Sequence, residues 1–248
     1  MRTARVLQAI LFFGLLVIGS QALAVPALQL GIQDGVYVGG NDETTYATSN
    51  PFTLYAYLDP GKANVTDTYY LSMALVPKTS PPDISLGTFT FDYSGGGSYT
   101  VKVTDDMTYG VPPIETYLGG LATKDGGDLG KHNIFETYFY EFPFQFDSDA
   151  SVPKINSQTG STEAGLLYRR SFLFDLANLD PAYQLHFDLY TEKLKESCDL
   201  DINLFVPFSH DAQSNVHSVP EPGTLVLLGS GLLGLIGIRK KITDAGGI

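Results

Sequence analysis

Between Tyr138 and Phe146 every even position is aromatic: Tyr138, Tyr140, Phe142, Phe144 and Phe146. Side chains alternate between the two faces of a strand, so this run predicts a strand that buries one whole face. A helix would scatter the same rings around its axis. Pro143 has no N–H to give to a ladder and marks an edge position or a bulge. A strand with so many rings on one side needs a second layer to cover it, and the chain supplies further strands. Leu28, Leu30 and Ile32 alternate with small or polar residues, and Phe52, Leu54, Ala56 and Leu58 oppose Thr53, Tyr55 and Tyr57. Tyr69 to Val76 is an apolar run closed by Pro77, and Phe89 with Phe91 marks another. Tyr99, Val101 and Val103 alternate with Thr100, Lys102 and Thr104; Leu166 to Phe174, Tyr183 to Tyr190 and Leu200 to Val206 complete roughly nine or ten strands.

Turn chemistry separates these runs: Gly39-Gly40-Asn41-Asp42, Asp59-Pro60-Gly61, Gly95-Gly96-Gly97 and Lys124 to Asp128. Helical periodicity is absent outside the two ends. The predicted fold is therefore all-β, an antiparallel β-sandwich of jelly-roll type. It is flanked by an N-terminal signal peptide and a C-terminal membrane-sorting helix. Pro77 to Pro82 and Ser148 to Gly165 read as long surface loops.

Each end carries its own address. Arg2 and Arg5 precede an apolar stretch from Val6 to Ile18, and Ala22-Leu23-Ala24 forms a small-x-small cleavage site. Ala22 and Ala24 are thus the expected signal-cleavage residues, and residues 1–24 the signal peptide. At the other end Pro220-Glu221-Pro222 is followed by an uncharged run from Leu225 to Ile238, which Arg239, Lys240 and Lys241 stop. Pro222 suits a first helical turn, so a helix is predicted from Gly223 to Arg239. Its length of about 25 Å is marginal against a hydrocarbon core of about 30 Å. The basic trio predicts a cytoplasmic C-terminus, and a cleaved signal predicts an exported N-terminus. Between the ends, residues 25–208 read as the exported domain and 209–219 as a polar spacer to the sorting segment 220–248.

Charge narrows the partners. The whole chain carries a net charge of −12. Arg2, Arg5, Arg239, Lys240 and Lys241 take five of its 15 basic residues and Asp244 one of its 27 acids. Residues 25–222 therefore hold 10 basic against 26 acidic side chains, a net −16. So acidic a surface disfavours nucleic acid and other anionic polymers as partners and favours solubility or cation association. The single cysteine, Cys198, rules out an intrachain disulfide and reads as a small buried hydrophobe.

No residue pattern points to catalysis. Ser209-His210-Asp211 has the residue types of a hydrolase triad, but neighbours in sequence point apart and a triad is assembled from separated positions. Glu136 and Glu141 form a carboxylate pair among aromatics whose separation the sequence does not supply. His132, His186, His210 and His217 lack metal-ligand spacing, and His186 falls on the solvent or sheet face of an alternating strand. Calcium is the one cofactor the loops suggest, with Asp125 and Asp128 as its ligands in a Gly-rich turn. Asp105-Asp106 and Asp147-x-Asp149 are further oxygen clusters, and Asp199-x-Asp201 opens a strand. An exposed row among the 15 tyrosines would bind glycans by stacking.

The order proline-bracketed acid, apolar run, basic stop resembles the PEP-CTERM sorting signal of Gram-negative bacteria. Ala27 to Gly31, Phe52 to Leu58, Met107 to Gly110, His132 to Phe139 and Pro207 to Gln213 together resemble the choice-of-anchor N proteins. The resemblance implies an exosortase that recognises Pro220-Glu221-Pro222 and cuts near it. It also implies a transient stay in the inner membrane, with the domain in the periplasm, before transfer to the cell surface or beyond. It implies no catalytic activity. The function expected is that of a structural or adhesive surface protein associated with exopolysaccharide; the alternatives are a glycan-binding module or a surface-bound polysaccharide hydrolase.

Overall fold

The computed structural model describes residues 25–39, 43–81, 85–114, 135–194, 200–207 and 210–214. These form 14 strands in two sheets, and Val103–Asp106 makes a short helical turn.

Sheet A runs in the order β1 (Leu28–Ile32), β4 (Phe52–Leu58), β11 (Thr162–Asp175), β6 (Thr88–Tyr93), β7 (Ser98–Lys102). β10 (Ser151–Ile155) pairs with the first half of β11, on the edge that β6 takes in the second half. Sheet B runs β2 (Val36–Val38), β3 (Thr44–Tyr46), β14 (Asp211–Gln213), β12 (Gln184–Leu194), β5 (Tyr69–Val76), β9 (Thr137–Phe144), β8 (Thr108–Gly110). β13 (Leu200–Phe205) pairs with the far half of β12. All described pairings are antiparallel except β14 with β3.

The aromatic run lies on β9 as its period demands. Tyr138, Phe142, Phe144 and Phe146 are buried, and Tyr140 packs against the same core. Opposite them, sheet A contributes Phe91, Phe172 and Phe174. Phe91 meets Phe142 edge-on at 5.1 Å, and Phe144 meets Phe172 at 5.3 Å. Such rings are worth about 0.5–1.5 kcal/mol per pair beyond the area they bury. Pro143 sits opposite Tyr70 of β5, while β8 covers β9 only from Thr137 to Phe139. The missing N–H thus faces the side of β9 that carries no described partner.

Two boundaries move from their expected places. Ser148 to Gly165 contains β10 and the start of β11, a hairpin rather than a surface loop. Its turn folds onto β1: Gln29 donates to the Ile155 carbonyl at 2.6 Å and accepts from the Ser157 amide at 2.9 Å. The expected spacer 209–219 also begins inside the fold. Asp211 to Gln213 form β14 between β3 and β12, Ala212 is fully buried, and the Ser214 hydroxyl accepts from the Leu185 amide. The domain therefore extends past 208 through Ser214.

Among the described residues no helix is long and apolar enough to cross a membrane. Residues 1–24 and 215–248, with the expected signal peptide and sorting helix, lie outside the described residues.

Candidate functional site

Alternation on sheet B sends Leu71, Met73, Leu185, Phe187 and Leu189 into the core and turns their neighbours to the other face. Register then aligns three of those neighbours in one row: Glu141 of β9 opposite Ser72 of β5, and Ser72 opposite Asp188 of β12. Asp211 of β14 lies one register step beyond the Phe187–Ala212 pair, beside Asp188, and is itself paired with Thr44 of β3. Three carboxylates thus share one line across four strands. None of the three is exposed, and Ser72, Asp188 and Asp211 are buried.

Hydrogen bonds fix the Glu141 end. Ser72 Oγ donates to Oε1 at 2.8 Å, and the Tyr190 hydroxyl donates to Oε2 at 2.9 Å. Tyr190 is held by stacking on Tyr70 at 5.3 Å and by Ile114 and Ile202. Burial pushes the Glu141 carboxyl up to about 7; the two hydroxyls pull it down, and Asp188 and Glu192 push it further up. It holds a proton across the range where ordinary carboxyls have lost theirs.

Histidine marks the other end. His186 Nε2 lies 3.4 Å from Asp188 and 3.7 Å from Asp211, so one imidazole bridges carboxylates from two strands. His210, next to Asp211, is buried, and burial holds its imidazole down to about 4. The fold thus joins two features that look separate in sequence, the alternating run around His186 and Asp211 of the Ser-His-Asp triplet, while Ser209 lies outside the described residues. The Ser72 hydroxyl is given to Glu141 rather than to an imidazole, and no nucleophile–base pair results among the described contacts. Two described surface depressions, about 580 Å³ beside Pro60 to Val65 and about 400 Å³ beside Leu176 to Gln184, exclude the row from their linings.

The outer face of sheet A is of another kind. Thr90, Asp92, Ser98, Thr100, Ser171 and Leu173 are half-buried or exposed, with Leu173 at 44%. Toward β1, Arg169 places its guanidinium 4.7 Å over the Tyr55 ring, and the Tyr55 hydroxyl donates to Gln33 at 2.9 Å. Of the two tyrosines here, Tyr57 is buried and Tyr55 carries a cation on its face.

The remaining sequence candidates distribute as follows. Glu136 is exposed and precedes β9; at about 3.3 Å per residue it stands about 16 Å along the chain from Glu141, too far for a glycosidase pair. Asp106 accepts from the Lys102 amide and Asp105 pairs with Lys102 Nζ, so both serve the local helical turn. Asp147 accepts from the Asp149 amide and lies 3.5 Å from Arg170. Among the described residues no group of three or more His, Cys, Asp or Glu is arranged to hold a metal ion. Asp125, Asp128, Cys198, Pro220, Glu221, Pro222, Arg239, Lys240, Lys241, Ala22 and Ala24 lie outside the described residues.

Comparison with known proteins bears on the tail. Residues 218–241 match the family of the PEP-CTERM protein-sorting motif. The motif marks the chain for export and for sorting by an exosortase toward the cell surface. No curated protein matches the chain. Among solved structures it is similar to ACE19, the collagen binding subdomain of the Enterococcus faecalis surface protein ACE, at 10% identity. The likeness covers 78% of this chain and 99% of that one with a TM-score of 0.23, too low to carry an argument.

Proposed function

We propose that the chain is a structural or adhesive protein of the cell surface or extracellular matrix, associated with exopolysaccharide. In this proposal the signal peptide 1–24 is removed, the sorting segment stays transiently in the inner membrane, and an exosortase cuts near Pro220-Glu221-Pro222. The observation that carries it is the sorting motif at 218–241. A membrane span of about 25 Å, short of the bilayer core, suits a temporary docking segment better than a lasting anchor. The domain is jelly-roll-like and of the choice-of-anchor N group in this reading, with the short sequence segments quoted above as its support. The hydroxyl-rich, open outer face of sheet A is the surface offered to the polysaccharide, since its side chains are free to exchange water for sugar hydroxyls.

Glu141 favours one second reading, a polysaccharide hydrolase. A carboxyl with a pKa of about 7, two strands from Asp188, has the chemistry of a general acid beside a second carboxylate. The two readings separate in one experiment on protein recovered from the matrix fraction. Calorimetry against the purified matrix polysaccharide is expected to show binding without turnover, weakened when Arg169 and Tyr55 are replaced by alanine. Release of reducing ends by the wild type, lost in Glu141→Gln, would establish the hydrolase instead. Replacing Pro220-Glu221-Pro222 by alanines is expected to hold the protein in the inner membrane; unchanged delivery to the matrix would remove the sorting step.

A further inference from the structure

Val25 is gripped by both of its backbone atoms. Its nitrogen donates to Glu163 Oε1 at 3.3 Å, and its carbonyl accepts from Lys62 Nζ at 2.5 Å. Its side chain is fully buried in a small cluster with Tyr57 and Leu167, away from the main core. The two side chains that grip it belong to one line of alternating charge. Glu163 Oε2 lies 3.4 Å from Lys154 Nζ, Lys154 donates to Asp59 Oδ2 at 2.8 Å, and Lys62 lies 3.9 Å from that same oxygen. Asp59 is buried, which raises its pKa, but the Lys154 and Gly61 hydrogen bonds and the two lysine charges outweigh burial and hold it low. The loop after β4, strand β10 and strand β11 thereby converge on one residue close before β1.

The same residue stands immediately after Ala22-Leu23-Ala24, the small-x-small sequence at which a signal peptidase cuts. Hydrolysis there breaks the Ala24–Val25 amide. Water gives its hydroxyl to the Ala24 carbonyl carbon and a hydrogen to the Val25 nitrogen, which takes up a further proton at neutral pH. A peptide N–H offers the carboxylate one donor in a bond that only the acceptor's charge assists; an α-ammonium offers three donors and adds a full positive charge, so the contact becomes an ion pair. An acceptor carboxylate is already in place at 3.3 Å.

We infer that Glu163, Lys62 and the Tyr57–Leu167 cluster form a receptor for the new amino terminus, in which the Val25 α-ammonium pairs with Glu163. The inference rests on the signal-peptide reading. Its consequence is that processing strengthens an existing tie between Val25 and the β10–β11 hairpin, turning an N–H···carboxylate hydrogen bond into an ion pair. Glu163 is 38% exposed, so solvent screens the pair and its effect is modest. Lys62 lies on the adjacent carbonyl and opposes the new charge, so the test compares variants rather than absolute values.

Full-length protein exported by a bacterial host is sequenced from its N-terminus, and the α-amine of the Val25 chain is titrated by NMR. Val25 is expected as the first residue, and Glu163→Gln is expected to lower the α-amine pKa by at least 0.3 unit from the wild-type value, a twofold change in proton affinity. N-terminal acetylation, or an extension by Leu23-Ala24, is expected to reduce the effect of Glu163→Gln on the urea midpoint, leaving the part that comes from the Lys154 pair. An α-amine pKa that agrees within 0.1 unit in both proteins would overturn the pairing. A mature chain starting elsewhere would overturn the cleavage position instead. The pairing is then judged separately, on chain released at Val25 from a cleavable fusion.

Discussion

Asp188 on sheet B and Leu173 on sheet A are both strand residues one position from a buried core phenylalanine, Phe187 and Phe172. Asp188 is 5% exposed and Leu173 is 44% exposed. Hydropathy alone would place them the other way round. The outer face of sheet B is closed along the acidic row, where Ser72 and Tyr190 donate to Glu141 and His186 lies between Asp188 and Asp211. The outer face of sheet A is open over β6, β7 and the second half of β11, where threonines, serines and Asp92 meet solvent. A polar group shut away from water costs free energy unless it is paired, so a closed acidic face is sensitive to protonation and an open one is not. On the function proposed above, sheet B stabilises the domain and sheet A is the face that makes contacts.

Substitutions sharpen the contrast in descending order of effect. Phe172→Ala removes the ring that Phe142, Phe144 and Tyr93 pack against between the sheets, and about 3–5 kcal/mol of loss is expected from urea unfolding. Glu141 comes next. Its folded pKa of about 7 exceeds the ordinary 4.5, so the folded state holds the proton more tightly. The stability it adds is therefore full below pH 4.5 and lost as pH rises through 7. Relative to Glu141→Gln, the wild type is expected to lose about 3 kcal/mol between pH 4 and pH 8.5. Parallel stability curves for the two proteins would show that the carboxyl titrates as if exposed.

His210 works in the opposite direction. Its folded pKa of about 4 lies below the ordinary 6.5, so its contribution is present above pH 6.5 and lost as pH falls through 4. His210→Asn is expected to remove a slope of about 1.4 kcal/mol per pH unit from that acid limb, and an unchanged limb would contradict the burial of the imidazole. The two windows overlap, so the opposing slopes largely cancel between pH 4.5 and 6.5 in the wild type and emerge in the single variants. The smallest change belongs to sheet A: Leu173→Ala is expected to shift stability by less than about 0.5 kcal/mol at any pH, in contrast to its neighbour Phe172.

What the sequence revealed follows from the range of each signal. Period two is local, so the strands around Phe52 to Leu58, Tyr69 to Val76 and Tyr138 to Phe144 were legible with their buried faces. The short strands Val36–Val38, Thr44–Tyr46, Thr108–Gly110 and Asp211–Gln213 were not, because three residues carry no period and owe their strand state to neighbours. Ser151–Ile155 contains Pro153 and polar residues and reads as a loop until it is seen paired with β11. The acidic row was hidden for a related reason. Ser72, Glu141, Asp188 and Asp211 are far apart in sequence, and only cross-strand register aligns them. One hint existed: Glu141 is the sole charge inside an aromatic run, on the face opposite the rings. The tail was the reverse case, an address written in contiguous residues and matched as such.

Export and exosortase sorting are tested most directly by the intact mass of the protein recovered from the outside of a bacterium that carries an exosortase. The expected chain starts at Val25 and ends near Pro220-Glu221-Pro222, without the apolar segment that follows. A surface protein that continues through Ile248 would contradict the sorting account.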